Sequence, residues 1–66
     1  MPKTQNLSQP AREALARLRE QGQLPTGPLK VDAVLLALEK LERRSIRQLL
    51  LRRELRRIGR EELVDD

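Results

Sequence analysis

Eight arginines, Arg43, Arg44, Arg47, Arg52, Arg53, Arg56, Arg57 and Arg60, fall within one stretch of the 66-residue chain. Glu54 is the only acid among them, so the stretch carries +7; the other residues, six basic and nine acidic, carry −3. A guanidinium presents a rigid fork of donors that grips phosphate or carboxylate oxygens in pairs. The chemistry these residues offer is therefore anion binding. Their spacing is helical: Arg43 with Arg47, Arg52 with Arg56, Arg53 with Arg57 and Arg56 with Arg60 are four apart. Each such like-charge pair costs an isolated helix roughly 0.2–0.5 kcal/mol. Acids from elsewhere, an anionic partner or plain solvent must meet that cost.

Catalysis is not expected. The chain has no His, Cys or Tyr, which removes the usual general bases and nucleophiles near neutral pH. Ser8 and Ser45 read as helix caps, and no base accompanies either threonine. The acids lie in no familiar metal-ligand spacing, and Gly22, Gly27 and Gly59 are scattered rather than gathered into a phosphate loop. No cofactor, metal or catalytic residue is predicted.

Nucleic acid is the first reading of the arginine stretch, since clustered, helical basic charge is the footprint such binding leaves. Without Phe, Tyr or Trp, base stacking cannot carry single-strand binding or an RRM-type surface. Duplex DNA gripped through its phosphates remains, or a structured RNA. All eight arginines are candidate contacts. Ser45 to Asp66 has a loose helix-turn-helix flavour, but Gly59 lies late for the turn and Glu61 and Glu62 would set acids against DNA, so that motif is not adopted. The rival reading is a helical adaptor or inhibitor whose arginine face docks on an acidic protein surface. A helix lying on an anionic membrane lacks Trp or Phe anchors.

The elements that must position these residues are helical. Residues 1–7 are polar and read as a flexible segment. Ser8 caps a first helix over about 8–21, with Ala11, Ala14, Leu15 and Leu18 as its stripe and Gly22 as its stop. Gln23 to Pro28 is a connector broken by prolines, with Leu24 as an apolar anchor and Thr26 or Gly27 as the next cap. The second helix, about 28–43, is apolar over more than half its circumference, which places it at the centre of the core. Ser45 and Gln48 fit a capping box that opens a third helix over 45–58; one continuous helix from Pro28 to Ile58 is the alternative. On the third helix Ile46, Leu49 and Leu50 oppose Leu51, Leu55 and Ile58, which implies two packing partners. Residues 61–66 form an acidic tail that either neutralises the arginines or competes with their ligand.

The fold class that follows is all-α: a helical hairpin plus an arginine-rich third helix in one domain, 8–60. Lacking aromatics and cysteine, so small a core points to a homodimer. Val31, Val34, Leu35, Leu38, Leu51, Leu55 and Ile58 are the expected interface with a second copy or partner. No apolar run reaches the roughly 20 residues of a membrane span. The N-terminus has no apolar segment of signal-peptide type, and the expected location is cytoplasmic.

Overall fold

The computed structural model describes residues 7–25 and 27–64. It contains α1 (Gln9–Glu20), β1 (Leu29–Lys30), α2 (Val31–Glu39), α3 (Ile46–Ile58) and β2 (Leu63–Val64). The two strands pair antiparallel, with Leu29 opposite Val64 and Lys30 opposite Leu63. The chain is thus mostly helical, closed by one short ladder.

Pro10 sits in the first turn of α1, where a missing N–H costs little. Ser8 occupies the cap position, but its side chain does not bond the helix. Its N–H and hydroxyl both donate to the Glu54 carboxylate on α3, the N–H at 2.7 Å. A carboxylate there also favours the positive end of α1. At the other end the Gln23 N–H reaches the Leu18 carbonyl and the Gly22 N–H reaches that of Arg19, at 2.9 and 3.1 Å. That pair of bonds needs a left-handed residue between helix and loop, and Gly22 supplies it with φ +71. Ala11, Ala14, Leu15 and Leu18 are all buried, as their spacing predicts, and Leu24 packs as the anchor.

The second helix is shorter than its apolar pattern suggests. Leu29 and Lys30 are extended, and α2 begins at Val31. The cause lies far along the chain. The Val31 N–H donates to the Glu62 carbonyl at 2.8 Å and the Asp32 N–H to that of Arg60 at 3.3 Å. Backbone carbonyls from the segment after α3 therefore cap α2, where Lys30 offers no side-chain cap. Any cap from Thr26 lies outside the described residues. At the far end Lys40 and Leu41 tighten to i→i−3 bonds on Ala37 and Leu38, and α2 closes before Glu42 and Arg43. Ser45 then opens α3 with both halves of the capping box formed: the Gln48 N–H to Ser45 Oγ and the Ser45 N–H to Gln48 Oε1, each 3.2 Å. The chain breaks there and does not run on as one helix.

The central element is α3, not α2. Both other helices pack chiefly on α3 rather than on each other, so the expected hairpin of the first two helices does not form. Leu51 and Leu55 are fully buried at that crossing. Two expected boundaries also shift. Leu7, placed by sequence in a flexible segment, is buried in the core. Glu61 and Glu62 lie in a turn, and Leu63 and Val64 form β2 with Val64 buried. That part of the acidic tail belongs to the fold. Residues 1–6, 65 and 66 lie outside the described residues.

Candidate nucleic-acid interface

The eight arginines separate into two groups. Arg44 Nη2 lies 3.7 Å from the Glu39 carboxylate and also donates to the Glu39 carbonyl at 3.3 Å. Arg47 Nε meets Glu13 of α1 at 3.1 Å. Arg52 Nη2 meets Glu39 of α2 at 2.5 Å, and its side chain is only 26% exposed. These three tie α3 and the turn before it to their neighbours. Glu54, the lone acid of the stretch, holds Ser8 and neutralises no arginine. Arg43, Arg53, Arg56, Arg57 and Arg60 are exposed and make no ion pair among the described residues.

Helical spacing and burial together define the outward ridge of α3. Leu51 and Leu55 point inward. Ile46, Leu49, Leu50, Arg53, Arg56 and Arg57 follow i, i+3, i+4, i+7, i+10 and i+11 along the opposite side. The ridge is apolar in its first half and basic in its second. Ile46 is 77% exposed and Leu49 47%. Arg56 and Arg57 stand in the last turn of α3, where cations complement the helix dipole; this offsets part of their mutual repulsion.

Two grooves flank the ridge. One, about 500 Å³, runs between α2 and α3 and is lined by Asp32, Leu35, Leu36, Glu39, Leu55, Arg56 and Arg60. The other, about 420 Å³, has Leu7, Leu50 and Ile58 as its apolar lining, with Arg53, Glu54 and Arg57. The arginines are thus dealt to both sides. Behind the ridge, Lys30 Nζ bonds Glu61 Oε2 at 2.9 Å beside the ladder. That hydrogen bond, with the accompanying charge attraction, lowers the Glu61 carboxyl and raises the Lys30 ammonium from their ordinary values.

The residues of the expected apolar interface fall into two sets. Val31, Val34, Leu38, Leu51 and Leu55 lie inside the chain's own core, at most 1% exposed. Leu35 and Ile58 are half-buried at its edge. A partner cannot reach the first five without opening the core. Among the described residues, the large apolar side chains that stay exposed are Leu36, Ile46, Leu49 and Leu63. Of these, Ile46 and Leu49 were legible as one of two opposed patches on α3; Leu36 was hidden in the breadth of the second helix.

Among the described residues no group of His, Cys, Asp or Glu is placed to hold a metal ion, and no helix is long and apolar enough to cross a membrane. Comparison with protein-family models, curated proteins and solved structures returns no match to this chain.

Proposed function

We propose that this chain is a small, non-catalytic, cytoplasmic nucleic-acid-binding protein, a dimeric regulator that sits on duplex DNA. The observation that carries the reading is the set of exposed arginines on and beside the outward ridge of α3 that make no ion pair among the described residues. Arg53 and Arg57, with Arg43 in the preceding turn, grip phosphate oxygens; Arg56 and Arg60 add to the local field. Arg44, Arg47 and Arg52 are engaged with Glu39 and Glu13 and serve the fold. Gln48 is held in the capping box, so the ridge offers no amide side chain for base edges. Binding is therefore led by phosphate contacts and carries little sequence preference.

The test is fluorescence anisotropy with a mixed-sequence DNA duplex and a matched RNA hairpin at several salt concentrations. About three phosphate contacts per chain give a slope of log Kobs against log salt of about −3 for each bound chain, and about twice that for a bound dimer. Arg53→Gln with Arg57→Gln reduces that slope by about two. No binding to the duplex at low salt overturns the reading, and a preference for the hairpin moves it to structured RNA. A second reading is favoured by one observation, the exposed Ile46 and Leu49 on the same ridge. Apolar tips beside free arginines suit an acidic amphipathic protein segment. Failure of both nucleic acids makes that adaptor reading the better one.

A further inference from the structure

The groove between α2 and α3 carries opposite charges on its two walls. Asp32 and Glu39 stand on the α2 side, Arg56 and Arg60 on the α3 side, over Leu35 and Leu55. Leu36, on the α2 wall, is 59% exposed. Glu39 is already engaged by Arg44 and Arg52. The side chains of Asp32, Arg56 and Arg60 make no ion pair among the described residues, although they line one groove. A purely acidic or purely basic partner would meet a like charge on one wall. The occupant that fits carries an apolar ridge and both signs in reversed order.

We propose that this occupant is a second copy of the same chain, related by a two-fold axis. Leu36 of each copy enters the groove of the other, and Asp32 of each faces Arg56 of the other. An isologous contact of this kind uses one patch twice, so each favourable charge pair occurs twice. It also replaces the interface expected on Val31, Val34 and Leu38, which the core has already consumed. Arg53 and Arg57 line the other groove and stay open in the dimer. A stable interface of ordinary size takes about 800 Å² from each partner. One groove and one leucine ridge cover only part of that, so the association is weak, with a Kd on the order of 10 µM or above. The inference rests on the two-copy part of the function proposed above and not on its nucleic-acid part.

Sedimentation equilibrium of the full chain, from about 1 µM to about 1 mM, tests it. The mass rises from the 7.7 kDa monomer towards twice that value. Asp32→Arg and Arg56→Asp each weaken association by about tenfold or more, since like charges then face each other twice. The double variant Asp32→Arg with Arg56→Asp restores it, because the reversed pair is again complementary. Leu36→Asp abolishes it. Helical melts of each variant confirm that the monomer still folds, and Arg56→Asp leaves the first turn of α2 untouched. A monomer at every concentration overturns the proposal. So does a dimer indifferent to Asp32, Leu36 and Arg56, or a double variant that stays monomeric. Duplex binding is read separately by anisotropy on the parent chain and on Leu36→Asp, which leaves every arginine in place, so failure of the dimer is distinguished from failure of the phosphate contacts.

Discussion

Arg52 and Arg57 are the same residue type five positions apart on α3, and the structure gives them different work. Arg52 is three-quarters buried and bridges to Glu39 of α2, whereas Arg57 is exposed and makes no ion pair among the described residues. Half-exposed ion pairs contribute little, roughly 0.2–1 kcal/mol, but the arginine stem also covers apolar surface. Arg52→Gln is therefore expected to lower stability in a urea melt by roughly 0.5–1 kcal/mol, and Arg57→Gln to stay within about 0.5 kcal/mol of the parent. Anisotropy should show the reverse order, with Arg57→Gln the more harmful. Equal effects on stability would remove the division of the arginines. The sequence made the clustering and the net charge of the eight legible. It could not sort them, because the acids that engage Arg44, Arg47 and Arg52 come from α1 and α2, and which helix lies beside which is not written in local spacing.

At the level of elements, what was legible was what is local. The capping box at Ser45 and Gln48, the stop at Gly22 and the stripe of α1 each depend on residues within one or two turns. The start of α2 depends instead on carbonyls of Arg60 and Glu62, and β1 exists only because β2 returns to it. A proline and a broad apolar run therefore predicted a helix from Pro28 that begins at Val31. The Lys30–Glu61 pair beside the ladder makes this closure sensitive to pH. Glu61 has its carboxyl lowered in the folded chain, so its contribution is present above the ordinary value of 4.5 and is lost as pH falls through the folded value. Lys30 is raised, so its contribution is present below 10.5 and is lost as pH climbs through the folded value. A Glu61→Gln variant should melt below the parent at neutral pH. The gap should close towards acid as the parent's carboxylate is protonated, and again in strongly alkaline solution. Both side chains are exposed, so added salt should shrink the neutral-pH gap. A gap that is flat across acid pH would mean the pair contributes nothing to the closure.

Across the whole molecule, the absence of aromatics leaves stability to a few aliphatic side chains converging on α3. The hydrophobic pattern showed that α3 has two apolar sides. Only packing decides that Leu51 and Leu55 face the core while Ile46 and Leu49 face outward. The same packing takes Val31, Val34 and Leu38 into the chain's own core and leaves Leu36 out, a division that the breadth of the apolar pattern did not show. A chain of this length has a total stability of about 3–10 kcal/mol, whereas truncating a buried leucine to alanine costs about 2–5 kcal/mol. Leu51→Ala, at a fully buried position of α3, is therefore expected to abolish or nearly abolish the cooperative thermal transition followed by circular dichroism. Leu36→Ala should leave the monomer's transition within about 0.5 kcal/mol of the parent. If Leu36→Ala instead unfolds dilute protein, α2 is held by something its exposed face touches, and the α3-centred core is not what keeps the chain folded.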